Sequence, residues 1–144
     1  LSVTCDAPAR FALRMFDNRD GSATGGTDET AYGLDLDASR NKIGRFYLTV
    51  DPAEFSADTW PTLYRTDSTS NGVAWSSSTA RQIPMAANSL LGFTDKTGVT
   101  TGPVAIQALT GTVRIKTYLA PMQSLDLREV VLINGSGTLE IVYP

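Results

Sequence analysis

The sequence predicts an all-β protein, an antiparallel β-sandwich, and three observations support this fold class. Apolar residues alternate with polar ones along several stretches, as in strands that are buried on one face only. Short runs rich in Gly, Asp, Asn and Ser separate these stretches and are typical of turns. No apolar stripe with helical spacing extends beyond about two turns. The 144 residues, 42% of them hydrophobic, are enough for one well-buried core, so we expect a single domain over 1–144.

The first two predicted strands lie at the start of the chain, where apolar residues recur at every second position. Their apolar faces comprise Leu1, Val3 and Cys5 in the first strand and Phe11, Leu13 and Met15 in the second. The link between them, DAPAR, contains the proline that separates the two alternating runs.

The acidic stretch DNRDGS at 17–22 raises the question of a calcium loop. Such a loop has oxygen ligands at alternate positions, but the alternate positions after Asp17 are Arg19 and Gly21. Asp and Asn side chains bond to their own backbone in turns, and Gly21 can adopt the unusual φ that a turn needs. We therefore interpret 17–22 as a turn and predict no metal site.

Two longer strands are predicted at 42–50 and 111–119, again from alternation. Their apolar faces comprise Phe46, Leu48 and Val50 in the first and Val113, Ile115, Thr117 and Leu119 in the second.

A short helix is predicted for DPAEFSADTW at 51–60. Asp51 can cap it, Pro52 suits its first position, and Glu54 can close a capping box. The middle of the chain, 51–102, is otherwise the least periodic part. We interpret it as loops and short edge strands and not as a second domain.

The chain ends on an apolar strand, SGTLEIVYP at 136–144. Leu139, Ile141 and Tyr143 share one face of this strand. Chain ends are usually frayed and polar, so an apolar strand here indicates a structural or binding role.

Composition excludes several classes of function. The absence of histidine removes the commonest general base and excludes Ser-His-Asp and Cys-His sites. Asp35 and Asp37 could form a carboxylate pair of a hydrolase, but a solvated face is the simpler interpretation. We predict neither an enzyme nor a cofactor. A net charge of −3 without a basic run indicates no nucleic-acid binding, and no apolar run approaches the roughly 20 residues of a membrane span.

Three aromatic residues of the middle segment are candidate glycan contacts. Trp60, Tyr64 and Trp75 could form an exposed platform for a carbohydrate. The alternative is that they pack as satellite core residues under long loops.

Two terminal stretches carry the pattern of a known family. The first is LSVTCDAPARFALRMFDNRDGS at 1–22, and the second is LTGTVRIKTYLAPMQSLDLREVVLINGSGTLEIVYP at 109–144. Together they resemble a family of bacterial fimbrial subunits that accompanies chaperone–usher gene clusters and was long catalogued as a domain of unknown function. The chain departs from the family pattern at Asn134, Gly137 and Pro144.

This resemblance implies an immunoglobulin-like sandwich of pilin type that lacks a strand. It implies a structural subunit of a surface fimbrium, exported through the periplasm and assembled by donor-strand complementation. The implied partners are a periplasmic chaperone, an outer-membrane usher and neighbouring subunits. We expect the chaperone or donor strand to dock on residues 138–143 and the strand before them. The expected docking residues are Leu139, Ile141, Tyr143, Val113, Ile115 and Leu119.

The single cysteine has two interpretations. A lone Cys5 is most often a small buried hydrophobic residue, and in a secreted chain it can instead have lost its partner. The resemblance implies that Cys5 is half of a disulfide whose partner, with a first strand and a donor extension, lies upstream of Leu1. The alternative functions are the pilin domain of a tip adhesin and a carbohydrate-binding β-sandwich module.

Overall fold

The computed structural model describes all residues, 1–144, and contains ten β-strands, one short 3₁₀ helix and no α-helix. All strand pairs are antiparallel and form two five-stranded sheets in a sandwich arrangement, so the predicted all-β antiparallel fold is confirmed. The elements are β1 (Ser2–Arg10), β2 (Ala12–Asp17), β3 (Tyr32–Gly33), β4 (Gly44–Ala57), β5 (Tyr64–Ser68), β6 (Ser76–Ser78), β7 (Ile83–Pro84), β8 (Leu90–Thr94), β9 (Ala105–Leu119), the 3₁₀ helix (Met122–Ser124) and β10 (Gly137–Val142).

The two sheets are joined by an almost continuous segment at one side of the sandwich. The first sheet has the order β1-β9-β4, and both β3 and β7 pair with the far edge of β4. The second sheet has the order β10-β2-β8-β5-β6. Only Phe11, which is 2% exposed, separates β1 from β2. The β1–β9 side of the first sheet and the β10–β2 side of the second therefore lie on the same side of the sandwich.

The hydrophobic core fills the space between the sheets, because alternate side chains of the facing strands point into it. Leu13 of β2 is completely buried. Tyr32 stacks on Phe46 with ring centroids 5.2 Å apart, and Phe55 packs on Phe93 at 5.3 Å. These aromatic contacts join β3 to β4 and β4 to β8, so the core couples both sheets.

The helix predicted at 51–60 is wrong. Most of these residues form the end of β4, whose pairing with β9 shifts register between Val50 and Phe55. The carboxylate of Asp51 accepts a hydrogen bond from the N–H of Ala53 at 2.9 Å. The residue that looks like a helix cap thus stabilises an irregularity within a strand, where short polar side chains bond to nearby backbone in the same way.

The interpretation of 51–102 as loops and edge strands is wrong for the second sheet. β8 lies between β2 and β5, and every one of its residues is buried. A strand buried on both faces has no alternation, and a short apolar run of this kind cannot be assigned from periodicity. The middle of the chain therefore contributes central strands to the sandwich.

A buried arginine joins the second sheet to β4 and β7 of the first. Arg65 of β5 is 2% exposed. Its guanidinium donates hydrogen bonds to the Asp67 carboxylate at 2.9 to 3.0 Å. It also donates to the carbonyl oxygens of Val50, Ile83 and Pro84 at 2.6 to 3.4 Å. Burial of this charge is tolerated because its donors are paired.

The outer face of the first sheet carries a cluster of cation–aromatic contacts, of which the one between Arg45 and Tyr118 joins β4 to β9. Arg45 lies opposite Tyr118, and Tyr47 lies opposite Lys116. The Arg45 guanidinium is 5.5 Å from the Tyr47 ring centroid and 5.7 Å from that of Tyr118. Such pairs stabilise neighbouring strands, so β9 is held to β4 over its second half.

Candidate functional site: an open groove between the two sheets

The last strand, β10, exposes side chains that belong to the core face. In its pairing with β2, Leu139 lies opposite Met15 and Ile141 opposite Leu13. Directly opposed residues of an antiparallel pair point to the same face, so these four side chains share one face. Met15 and Leu13 are 8% and 0% exposed, whereas Leu139 and Ile141 are each 41% exposed. The core face of β10 is therefore open to solvent.

The second half of β9 is uncovered in the same way. Ile115 lies opposite Leu48, and Thr117 lies opposite Phe46, so this stretch also presents its core face. Leu48 and Phe46 are 7% and 8% exposed, whereas Ile115 is 67% and Leu119 is 58% exposed. The core-facing side chains are thus buried on β4 but exposed on the neighbouring strand, β9.

Both stretches have one main-chain edge without a partner in this chain. β1 pairs with β9 as far as Gly111, whose carbonyl accepts from the amino group of Leu1 at 2.9 Å and whose N–H donates back at 3.0 Å. Beyond Gly111, β9 pairs with β4 alone. β10 pairs with β2 alone. Unpaired strand edges are strong hydrogen-bonding surfaces and can accept another strand.

We call the space between these two stretches the open groove. The two stretches lie on the same side of the sandwich, because β1 runs directly into β2. The segment just before β10 is also close to the first sheet, since Gly135 lies against the side chains of Leu34 and Phe46. The side chains of the open groove are Val113, Ile115, Thr117 and Leu119 from β9 and Leu139, Ile141 and Tyr143 from the end of the chain.

The structure thus leaves the six residues predicted as a docking surface on these two stretches, which belong to different sheets and lie on one side of the sandwich. Their role in docking stays a prediction. Sequence reasoning missed further exposed apolar residues in the link between β9 and β10, where Val130, Leu132 and Ile133 are 86%, 71% and 59% exposed. The available signal was the run VVLI, which is apolar, has no alternation and lies close to the predicted last strand.

An ion pair and hydrogen bonds fix β10 to β2 on the outer face. The guanidinium of Arg14 donates two hydrogen bonds to the Glu140 carboxylate at 2.8 and 2.9 Å. The side chain of Asn18 donates to the hydroxyls of Ser136 and Thr138 at 3.0 and 3.1 Å. The strand is therefore held in register although its core face is open.

The link between β9 and β10 is held to the sandwich by Asp37. Its carboxylate accepts hydrogen bonds from the N–H groups of Ser39, Asn41 and Asp126 at 2.6 to 3.0 Å, and from the Asn41 side chain at 3.0 Å. Burial raises the pKa of Asp37, but these hydrogen bonds outweigh burial and hold the pKa below its ordinary value. Asp37 is a structural anchor here, and Asp35, with φ at +76°, lies outside the strands.

Lowering the pH below about 4 is expected to release this link. A carboxylate with a lowered folded pKa contributes stability above its unfolded pKa, and the contribution is lost as pH falls through the folded pKa. Both Asp37 and Asp126 have lowered pKa values, the latter because the side chains of Arg128 and Ser39 donate to it. We expect the Asp126 amide resonance in NMR spectra to move towards its unfolded position in this pH range.

The variant Asp37→Asn provides the control for this pH dependence. It should be less stable than the wild type near neutral pH, because one acceptor oxygen is replaced by a donor. The difference should shrink as pH falls through the lowered pKa of Asp37, because the protonated carboxyl group is neutral like the amide that replaces it. A difference that stays constant over this range would contradict the assignment.

The three predicted aromatic contacts separate in the structure. Trp60 and Tyr64 line the same cavity. Trp75 lies elsewhere, where its indole N–H donates to the carbonyl of Gly72 at 3.0 Å and its ring packs against Gly102. The three residues therefore do not line one cavity, and their role in glycan binding stays a prediction.

The other predicted positions have plain structural surroundings. The turn predicted at 17–22 is present, with the N–H of Ser22 donating to the carbonyl of Arg19 at 3.0 Å. Cys5 lies on β1, is half-buried against the core and has no second cysteine in the chain, so the disulfide stays a prediction. No group of three or more His, Cys, Asp or Glu side chains is arranged to hold a metal ion.

The fold and the open groove define this chain as an antiparallel β-sandwich with uncovered core residues at one side. It has no helix with the length and hydropathy needed to cross a membrane. Comparison with protein families, curated proteins and solved structures found no match.

Proposed function

We propose that this chain is a structural subunit of a bacterial surface fimbria, assembled through the chaperone–usher pathway by donor-strand complementation. The observation that carries the proposal is the open groove, in which unpaired edges from both sheets flank exposed core-facing side chains. A strand added there would pair with an edge by main-chain hydrogen bonds and fill the groove with alternate side chains. In this proposal the sandwich is an immunoglobulin-like fold of pilin type that lacks a strand.

Such a groove needs a partner at every stage of assembly. Uncovered strand edges beside apolar side chains lead to uncontrolled pairing with other chains. A periplasmic chaperone would first occupy the groove, and the strand of a neighbouring subunit would then replace it at the outer-membrane usher. The finished protein would lie in a fimbrium outside the cell. It would be neither an enzyme nor dependent on a cofactor.

The energetic gain of filling the groove is substantial. Ile115, Leu119, Leu139 and Ile141 are 67%, 58%, 41% and 41% exposed. Full burial of such a side chain contributes about 1.5 to 3 kcal/mol, so covering roughly half of each gives about 3 to 6 kcal/mol before the entropy of ordering the partner. Main-chain pairing adds to this gain.

The proposal predicts that a synthetic strand stabilises the protein. A peptide of about nine residues with apolar residues at alternate positions should bind one chain and raise its Tm by about 5 to 10 °C when present at about a hundred times its Kd. Amide exchange should slow along one or both free edges, at 112–119 and 137–142. A peptide of the same composition in scrambled order is the control.

The opposite result would rule the proposal out. If the chain remained a folded monomer, bound no alternating peptide and formed no polymer, strand addition would not be its function. Protection confined to other strands would likewise place the peptide outside the groove.

Carbohydrate binding is the second candidate function, either in the pilin domain of a tip adhesin or in a separate binding module. The cavity lined by Trp60 and Tyr64 favours it, because aromatic side chains beside a few polar groups are typical of small-molecule sites. This cavity and the open groove have no lining residue in common, so the two functions can coexist.

A further inference from the structure

We propose that the cavity between Trp60 and Tyr64 binds an acidic saccharide and that Arg81 binds its carboxylate. The cavity lies between the end of β4, the start of β5 and the segment after β6, and it measures about 410 Å³. Its apolar lining includes Phe55, Trp60, Leu63 and Tyr64. This inference rests on the second candidate function, names its ligand class, and does not depend on fimbrial assembly.

The polar ends of the two aromatic residues are available to a ligand. The Trp60 indole N–H and the Tyr64 hydroxyl make no hydrogen bond within the chain, and neither is a buried unsatisfied group. Trp75 differs, because its indole N–H is bonded to Gly72. The cavity is therefore lined by two aromatic residues whose donors are unbonded, and Trp60 also packs against the core, while the second tryptophan of the chain has its donor occupied.

Arg81 supplies the positive charge at the rim of the cavity. Its Nε lies 3.5 Å from the carboxylate of Asp51, whose side chain is only 5% exposed. The Arg81 side chain is 68% exposed, and its two terminal nitrogens have no partner in the chain. A planar guanidinium with free terminal N–H groups matches a carboxylate in a two-bond geometry. Asp51 thus orients a guanidinium whose outer edge faces solvent.

These features together fit a saccharide better than a purely apolar or purely ionic ligand. An apolar ligand would cover the free donors of Trp60 and Tyr64 without bonding them, which is unfavourable. A small inorganic anion would leave the aromatic faces unused. A sugar ring presents C–H groups on its faces and oxygens at its edge, and a uronic acid adds the carboxylate that Arg81 can bind. The cavity volume is within the range of small-ligand sites and suits a short saccharide.

The two tryptophans allow the proposal to be tested in the unmodified chain. Their two indole N–H resonances are followed by NMR during titration with digalacturonate and with galactobiose, which carries a neutral CH₂OH in place of each carboxylate. We expect the Trp60 resonance to shift with digalacturonate, the Trp75 resonance to stay in place, and galactobiose to bind at least about threefold more weakly. Equal binding of the two sugars, or equal shifts of both indoles, would overturn the proposal.

Variants test whether Arg81 binds the carboxylate of the sugar and whether a loss of binding reflects misfolding. Arg81→Gln should weaken digalacturonate binding to the level of galactobiose, whereas Arg10→Gln, an exposed arginine of β1 without a side-chain partner, should leave it unchanged. The variant Ile141→Asp, which changes a residue of the open groove, should bind the sugar normally. Failure of the groove proposal and failure of the saccharide proposal are therefore distinguishable. A proline-rich peptide is the third probe, and binding of that peptide with no response to digalacturonate would overturn the saccharide assignment.

Discussion

A chain in which Ile141 is replaced by aspartate is expected to fold but to lose the binding of an added strand by more than about a hundredfold. Ile141 is 41% exposed, so a carboxylate there stays hydrated in the free chain. A strand in the groove would enclose that charge against Leu13, which lies opposite on β2. An unpaired buried charge costs several kcal/mol, and about 3 kcal/mol already corresponds to more than a hundredfold in Kd. Leu139→Asp should behave in the same way.

The matched control for this experiment is Thr138→Asp. Thr138 lies on the same strand but opposite Phe16, on the outer face, where an added carboxylate remains in solvent and can still accept the hydrogen bond from the Asn18 side chain. Because both variants introduce the same carboxylate, peptide titration should distinguish the core face of β10 from its outer face. In cells, Ile141→Asp should abolish chaperone association and secretion, and Thr138→Asp should preserve both. Normal fimbriae assembled from the Ile141→Asp chain would contradict the role of the groove.

The strands that could be predicted from the sequence are those with one buried face. β2 and β10 alternate visibly because their outer side chains, such as Arg14 and Glu140, bond to each other in solvent. β8 could not be predicted because both of its faces are buried, which removes the alternation. The helix expected from Asp51 failed because a short acidic side chain bonds to backbone equally well in a β-bulge.

The candidate site was predictable in part for the same reason. Period-2 alternation assigns Leu139 and Ile141 to one face, and the register with β2 puts that face towards the core. The free edges of β9 and β10 could not be read from the sequence, because pairing depends on contacts between distant segments. The exposure of the apolar side chains in the β9–β10 link was missed because it also depends on contacts between distant segments.

The cavity lined by Trp60 shows the same limit. The sequence offers Trp60, Tyr64 and Trp75 as equivalent, since each lies in a region without clear periodicity. Tertiary packing separates them: Trp75 folds back on Gly72, and Arg81 enters beside Trp60 from a segment with no motif. No spacing rule connects Arg81 to Asp51, which is 30 positions away.

Replacing Arg65 by methionine is expected to lower the free energy of unfolding by about 3 to 5 kcal/mol, the usual range when one partner of a buried ion pair is removed. The substitution leaves the carbonyl oxygens of Val50, Ile83 and Pro84 without their donor and leaves Asp67 beside an apolar side chain. Each unpaired buried acceptor carries a desolvation penalty. Urea unfolding followed by tryptophan fluorescence gives the measurement.

Arg128→Met is the matched control, because Arg128 also pairs with an aspartate two positions away, Asp126, but has a side chain that is 83% exposed. The Asp126 side chain is only 10% exposed, but it keeps its hydrogen bond from the Ser39 hydroxyl and no backbone carbonyl loses a donor, so this change should cost much less than Arg65→Met. If Arg65→Met cost no more than Arg128→Met, the bonds of Arg65 to Ile83 and Pro84 would contribute nothing net, and β7 would be held by its main-chain pairing with β4 and by apolar packing. A large loss for Arg65→Met with retained peptide binding would instead show that this cluster stabilises the sandwich independently of the open groove.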